Sequence, residues 1–333
     1  MKPGAGNRAP GRATGLGLVA IALWSLLAAI ATSLRAIPPL QLVAMSFALA
    51  SVAGFAWVAA TGESLSALRR VPLGYWLLGI YGLFGYHAAY FFALQNSPPV
   101  EANLINYFWP LLIVLFSVLL PPSRGGHPLR WWHFAGALLG FAGVAVIISG
   151  GAPATALGSG PFKGYLGAVA AALIWSSYSV GSRIYADVPT VAVMGTSMAT
   201  ALLAALVSLS FETWVWPAGS AQWLALVLQG CGPVGVAFYF WDRAMKRGHL
   251  RFVGIASYAT PLLSTLVLVA SGLAQASPRL WLAALLATMA GGAACDVGRD
   301  ARRCGTLAEA IGAAGIARPN GPSIRMRQPT PRC

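Results

Sequence analysis

The stretch 86–110 concentrates polar and aromatic side chains inside otherwise apolar sequence, and it reads YHAAYFFALQNSPPVEANLINYFWP. On a helix, Tyr86 and Tyr90 share one face, and His87 lies beside it. A second face carries side chains at i, i+3, i+4 and i+7, namely Asn103, Asn106, Tyr107 and Pro110. Because imidazole, amide and phenol groups donate and accept hydrogen bonds, these two faces could hold the polar end of a small molecule.

Composition shows in which medium these faces lie. Of the 333 residues, 57% are hydrophobic and 9% are charged, and the mean hydropathy is +0.69. A soluble domain carries about 25% charged residues, so the sequence predicts an all-α protein that crosses the membrane many times. An unpaired polar group in a bilayer core costs several kcal/mol. His87, Asn103 and Asn106 must therefore face protein, water or a ligand.

Uncharged windows long enough to cross a bilayer, about 20 residues each, lie between the ionisable positions. They predict ten transmembrane helices. The approximate bounds are 14–35, 38–60, 72–95, 101–120, 131–150, 163–184, 188–211, 221–243, 251–273 and 278–295. The last window is the shortest, and it requires Arg279 to extend towards the interface.

Basic residues set the expected orientation. With residues 1–13 as a cytoplasmic tail, 19 of the 22 lysines and arginines fall on the cytoplasmic side of the ten helices. Because cytoplasmic loops carry such an excess, we expect both termini inside and the linker 151–162 outside. The net charge of +14 then needs no nucleic-acid partner, and the lipid bilayer is the expected surrounding. The basic, Pro- and Gly-rich tail 296–333 is expected to be disordered.

Two motifs recur 151 residues apart, which indicates an internal repeat. Leu23-Trp24-Ser25 returns as Ile174-Trp175-Ser176, and YFWPLL at 107–112 returns as YATPLL at 258–263. The halves 14–150 and 163–295 then hold five helices each. Because five is odd, the second half enters the membrane upside down, as in inverted-repeat transporters with a site near the midplane.

Acidic side chains are missing from the centres of the predicted spans. Glu63, Glu101, Asp187, Glu212 and Asp242 all fall at helix ends or in loops. This pattern disfavours a proton-coupled exporter of organic cations, which needs a buried acid, and favours a neutral, zwitterionic or amphipathic substrate. The four cysteines have no CxxC spacing, and three of the four histidines lie at helix ends. The sequence therefore predicts no metal site, no cofactor and no enzyme activity.

His87 is the one ionisable side chain that falls within an otherwise apolar span. It could pack against neighbouring helices through a bond to a carbonyl group, or it could contact substrate or carry a proton. Ionisable groups inside membranes usually serve function, and the flanking tyrosines favour the second interpretation.

Pro110 and Pro261 lie near the centres of the fourth and ninth predicted helices. A proline there frees the carbonyl four residues earlier, on Asn106 and Ser257. Each proline makes either a static kink or a hinge used in gating. Their matched positions in the repeat favour a hinge.

Deeply placed aromatic residues could enclose the apolar part of a ligand. Tryptophans at helix ends belong to the interfacial belt. The deeper aromatic residues are Trp109, Trp175, Tyr178, Tyr239, Trp241 and Tyr258. Each could simply pack, but together with Tyr86, Tyr90 and Tyr107 they could line an aromatic cavity.

These features resemble a known family. The repeat, YFWPLL at 107–112, YHAAY at 86–90 and WSSYSVGSR at 175–183 are similar to the drug/metabolite transporter superfamily with its EamA-type repeats. Within it, the chain most resembles YddG-type exporters of amino acids, aromatic ones included. The resemblance covers residues 15–295. It implies ten helices around a central cavity in the bacterial inner membrane, with pocket residues Tyr86, His87, Tyr90, Tyr107 and Trp109.

The resulting hypothesis is a secondary transporter that exports amino acids or similar small amphipathic metabolites by alternating access. The alternatives are a multidrug or other metabolite carrier of the same fold, and a passive channel. A carrier saturates and counter-exchanges, whereas a channel conducts without saturation. The sequence leaves the oligomeric state open, and a monomer is compatible with it.

Overall fold

The computed structural model describes residues 8–121, 131–148, 160–247, 253 and 256–294, and the regular elements in these ranges are helical. The tail up to residue 7, the linker from 151 to 159 and the tail 296–333 lie outside the described residues. Five described helices are long and apolar enough to cross a membrane, and they are Gly11–Ser33, Pro39–Thr61, Leu73–Asn96, Ala192–Phe211 and Gly219–Ala244. Two shorter apolar helices are Thr260–Ala270 and Pro278–Met289.

The helices follow one another with short connections. Those of the first half are α1 Arg8–Ser33, α2 Pro39–Thr61, α3 Leu73–Ile80, α4 Tyr86–Asn96, α5 Pro99–Asn106, α6 Trp109–Ser117 and α7 Trp131–Ile148. Those of the second half are α8 Gly160–Ser182, α9 Ala192–Phe211, α10 Gly219–Cys231, α11 Ala237–Arg247, α12 Thr260–Ala270 and α13 Pro278–Ala294. Single π turns, Tyr81–Gly85 and Gly232–Val236, join α3 to α4 and α10 to α11.

The ends of α2 show how the sequence sets these bounds. The helix begins at Pro39, where a missing N–H group costs nothing because first-turn N–H groups have no partner in the helix. It ends at Gly62, whose positive φ of 71° suits glycine, and the Gly62 N–H donates to the Val58 carbonyl at 2.9 Å. Between these ends the sequence is almost wholly apolar, as expected for a helix surrounded by lipid and other helices.

The fourth and ninth predicted helices are interrupted rather than continuous. α5 ends at Asn106, and α6 begins at Trp109 with Pro110 in its first turn. Likewise, α12 begins at Thr260 with Pro261 in its first turn. The sequence predicts that both prolines lie inside a helix. The structure instead starts a new helix at each proline, where its ring fits and no N–H is required.

The two halves share one pattern of elements. The π turns lie 151 residues apart, and so do α4 and α11 and the first residues of α6 and α12. Packing between the halves follows the same pattern, because α1 packs against α11 as α8 packs against α4. Each half therefore contributes its first helix to the packing surface of the other half.

Helices α2 and α9 pack side by side and run antiparallel, and each is capped from the end of the other. Glu212, directly after α9, accepts the N–H groups of Leu40 at 2.9 Å and Gln41 at 2.8 Å at the start of α2. Glu63, just after α2, accepts the N–H of Val191 at 2.8 Å at the start of α9. Each carboxylate thus follows one helix and lies at the N-terminal, positive end of the other helix's dipole.

Candidate binding cavity

Residues from both halves surround a cavity beside the two helix breaks. Its described lining is mostly aromatic and consists of Trp24, Leu27, Tyr86, His87, Tyr90, Asn106, Tyr107, Trp109, Trp175, Phe238 and Thr260. The volume open to the centre of a water molecule is about 30 Å³. Since one water needs about 10–15 Å³ by this measure, the cavity holds a few waters at most in this conformation.

Interruptions in the helices bring several of these side chains to the cavity. Tyr86 and His87 directly follow the π turn Tyr81–Gly85, and the extra residue of such a turn changes which side chains face inward. Tyr107 lies in the break between α5 and α6, and Trp109 begins α6. The lining therefore depends on the places where the helices depart from regular geometry.

The His87 ring is fully buried, and its two nitrogens have different surroundings. Nδ1 lies 2.8 Å from the Leu83 carbonyl oxygen. A carbonyl oxygen only accepts, so Nδ1 carries a proton, and Nε2 of the neutral ring is an acceptor. Nε2 is buried and has no hydrogen-bond partner among the described residues. One nitrogen thus bonds to the preceding π turn, while the other has no partner among the described residues.

Asn106 presents a second available acceptor. Its Nδ2 donates to the Tyr86 hydroxyl at 3.2 Å. Its Oδ1 is buried without a partner in the part of the chain that the structure describes, although the side chain is only 2% exposed. Buried polar atoms are rarely left unpaired, so Asn106 Oδ1 and His87 Nε2, on two residues that line the cavity, are both candidate acceptors for a ligand.

Aromatic rings form the rest of the wall. Trp24 and Trp175 meet edge to face with centroids 5.9 Å apart, and Phe238 lies 5.6 Å from each of them. The Trp24 indole N–H donates to the Pro233 carbonyl in the second π turn at 3.1 Å. These contacts hold the rings in defined orientations around the cavity.

The 151-residue offset also relates the side chains of the lining. Trp24 corresponds to Trp175, His87 to Phe238, and Trp109 to Thr260, and all six line the cavity. The first pair preserves its chemistry. The other two pairs do not, since the first half supplies an imidazole and an indole where the second supplies a phenyl ring and a hydroxyl. Because the tyrosines and Asn106 of the lining also belong to the first half, the cavity is polar mainly towards that half.

Five of the predicted site residues lie outside the described lining. The Asn103 side chain bonds to Tyr90 and Ser264, and Tyr258 is buried in the break before α12. The other three are aromatic and pack just beyond the lining or against α2. Trp241 lies 4.9 Å from Trp24, Tyr178 lies 5.2 Å from Trp175, and the Tyr239 hydroxyl donates to the Ala50 carbonyl at 3.2 Å.

Sequence reasoning did not select Trp24, Leu27, Phe238 or Thr260 as site residues. The repeat contained the signal for three of them, because each corresponds to a selected residue 151 positions away. Leu27 carried no such signal, since one leucine among many apolar residues is not distinctive.

No acidic side chain belongs to the described lining of the cavity, and four acidic side chains bond to other parts of the protein. Besides the two glutamate caps, Glu101 accepts a bond from the Tyr165 hydroxyl, and Asp242 accepts one from the Thr190 hydroxyl. Arg243 pairs with Glu63 at 3.4 Å. No group of three or more His, Cys, Asp or Glu side chains in the described ranges could hold a metal ion.

Comparison with known proteins identifies the fold. The sequence profile of the EamA-like transporter family matches residues 12–149 and again residues 162–292. The chain belongs to the EamA-like transporter family. It is a helical membrane protein of a transporter family, and the profile matches it twice in tandem.

Relatives of known name cover nearly all of the helical region. The chain is 51% identical over 284 residues to the aromatic amino acid exporter YddG of Ancylobacter novellus, which spans 85% of this chain and 96% of that protein. It is 26% identical to the protein of the same name in Salmonella typhimurium, over 76% of this chain and 86% of the relative. A crystal structure of a protein 49% identical matches with a TM-score of 0.69, over 87% of this chain and 98% of that one.

Proposed function

We propose that this EamA-like transporter exports amino acids, aromatic ones included, by alternating access. The observation that carries the proposal is the cavity, whose largely aromatic lining includes two residues with acceptors that have no partner among the described residues, His87 Nε2 and Asn106 Oδ1. The relatives named as aromatic amino acid exporters support the same substrate class.

The two acceptors suit the ammonium group of an amino acid. An ammonium group has three donors and no acceptor, so it satisfies both atoms at once. A carboxylate has only acceptors and would be repelled there. The Tyr86 hydroxyl, which accepts the bond from Asn106, has a proton that it can donate to the substrate carboxylate.

The apolar side chain of the substrate then lies towards the second half. Phe238 and Thr260 form that wall, and Trp24 and Trp175 flank it. The Thr260 hydroxyl donates to the Ser257 carbonyl at 2.5 Å, so this polar group is already satisfied. An aromatic substrate ring could make offset or edge-to-face contacts with these rings, and such contacts add to the free energy gained by burying apolar surface.

The cavity must widen before it can hold such a substrate. Ligand sites usually enclose about 300–1,000 Å³, far more than the space that a few waters need. We therefore assign the present conformation to a closed stage of the transport cycle, from which the two halves open in turn. The helix breaks at Pro110 and Pro261 are the proposed hinges.

The architecture that we propose is ten spans in two inverted repeats, at 14–150 and 163–295. The antiparallel α2 and α9 support it, because equivalent helices of inverted repeats run in opposite directions. The matched π turns and helix breaks support it as well.

The proposed location is the bacterial inner membrane, with residues 1–13 and 296–333 in the cytoplasm and the linker 151–162 outside. The distribution of basic residues supports this orientation. We expect an impermeant thiol reagent to label a cysteine at 155 from outside and one at 125 only from the cytoplasmic side. Labelling from outside at 125 but not at 155 would refute the topology.

Transport itself is tested with purified protein in liposomes. We expect saturable uptake of labelled tryptophan and phenylalanine, and faster uptake when unlabelled substrate is inside. Uptake without saturation or exchange would favour a channel, and uptake only of other compounds would favour a different carrier. Trp109→Ala should reduce transport chiefly of large amino acids, whereas Trp216→Ala, 61% exposed and outside the cavity lining, serves as the matched control.

A further inference from the structure

A buried chain of polar side chains begins at Tyr90 in the cavity lining and continues beyond it. The Tyr90 hydroxyl donates to Asn103 Oδ1 at 2.5 Å, and Asn103 Nδ2 donates to the Ser264 hydroxyl at 2.9 Å. All three side chains are at most 2% exposed. Both ends of the Asn103 amide are therefore engaged by protein, which argues against a direct contact with substrate.

The same chain joins the two halves of the protein. Asn103 belongs to α5 in the first half, and Ser264 belongs to α12 in the second, 161 residues away. Tyr90 lines the cavity, so Asn103 connects the wall of the cavity to the contact between halves.

The Asn103–Ser264 bond lies towards one end of the cavity, which we call a mouth. Asn103 lies about one helical turn before Asn106, and Ser264 lies about one turn after Thr260. Both Asn106 and Thr260 line the cavity. The bond is therefore displaced from the cavity towards the α4–α5 connection at 97–98, which is the proposed external side.

The offset of 151 relates Tyr90, Asn103 and Ser264 to Trp241, Gly254 and Ile113, none of which can reproduce this pair of bonds at the opposite mouth. Among the described residues near that mouth, Trp24 and Trp241 pack with their centroids 4.9 Å apart, and Arg243 pairs with Glu63 of the first half at 3.4 Å. The described contacts between the halves therefore differ at the two mouths, with a buried Asn103–Ser264 hydrogen bond on one side and packed rings and an ion pair on the other.

We infer that the Asn103–Ser264 bond is a clasp that keeps the cavity closed on the α4–α5 side, and that Asn103 is a positioning residue for Tyr90 rather than a substrate ligand. The inference rests on the proposed transport function, since a clasp matters only if the halves separate. Opening this side requires the bond to break, whereas opening the other side leaves it intact. The clasp therefore biases the resting protein against the conformation that is open on this side.

The test measures access to the cavity without any substrate. Leu27, which lines the cavity, is replaced by cysteine in a variant whose native cysteines are removed, and an impermeant thiol reagent is applied to intact cells and to inside-out vesicles. Because a single hydrogen bond contributes modestly, Ser264→Ala should raise the labelling rate from the external side roughly 2- to 12-fold. Ser264→Thr retains a hydroxyl and should restore a rate close to that of the parent.

Thr265 provides the matched control. It is the next residue along α12, is fully buried and has a hydroxyl without a partner among the described residues, so Thr265→Val should not change labelling. An unchanged rate in Ser264→Ala, an equal increase in Thr265→Val, or an increase only from the cytoplasmic side would overturn the clasp. Labelling that changes as expected in a protein that transports no amino acid would support the clasp and refute the proposed function.

Discussion

Replacing His87 by phenylalanine separates ligand binding from packing at this position. The equivalent residue of the second half is Phe238, so the fold already accommodates a phenyl ring at the corresponding place. The ring contacts to Phe47 at 4.8 Å and Phe91 at 5.6 Å can persist. Both nitrogens are lost, including the unpaired Nε2.

The expected effect follows from the charge of the proposed partner. A hydrogen bond to a charged group contributes about 1.5–3 kcal/mol, so His87→Phe should weaken the binding of every amino acid roughly 10- to 150-fold. Loss of the bond to the Leu83 carbonyl concerns two neutral groups, and it should cost about 0.5–1.5 kcal/mol of stability instead.

The assay compares two ligands that differ at the ammonium group. Counterflow of labelled tryptophan into liposomes is inhibited by unlabelled tryptophan or by 3-indolepropionate, which has the same ring and carboxylate but no ammonium. We expect the wild-type protein to prefer tryptophan and His87→Phe to lose at least about 10-fold of that preference. His87→Gln, which can place an acceptor near the position of Nε2, should retain more of it.

Several results would refute the reasoning. If His87→Phe weakens the binding of tryptophan and of 3-indolepropionate equally, His87 shapes the cavity but does not bind the ammonium group. If a monodisperse His87→Phe protein transports tryptophan like wild type and is inhibited by both ligands to the same extent as wild type, His87 is a packing residue.

Three further predictions concern size selection, the α2–α9 pair and the hinges. Thr260→Phe enlarges a side chain that lines the cavity and should reduce tryptophan transport roughly 10-fold or more while affecting alanine less; equal losses for both would argue against a size role. Glu212→Ala removes the cap of α2 and should destabilise the protein by about 1.5–3 kcal/mol, seen as a lower melting temperature in detergent, whereas the exposed control Thr213→Ala should melt like wild type. Pro261→Ala should lower the maximal transport rate more than the substrate affinity, and wild-type rates in this variant and its counterpart at Pro110 would remove the hinge assignment.

The sequence by itself determined the class of protein and selected the region of the candidate site. Composition and uncharged windows depend on each residue separately, so they identify a helical membrane protein without knowledge of its packing. The cost of polar groups in hydrocarbon likewise identified His87 and Asn106, because such groups must turn away from lipid whatever the arrangement of helices. The family motifs and the 151-residue offset were also visible in the sequence alone.

Only the tertiary structure decided which inward-facing groups meet one another. Asn103 and Asn106 share a helical face, yet Ser264 from the other half bonds to Asn103, while Asn106 Oδ1 has no partner in the part of the chain that the structure describes. Tyr239 follows Phe238 directly, but one turns to α2 and the other to the cavity. The physical reason is that hydrophobicity assigns each side chain to lipid or interior, whereas a hydrogen bond requires a particular partner within about 3 Å, and that partner can lie anywhere in the chain.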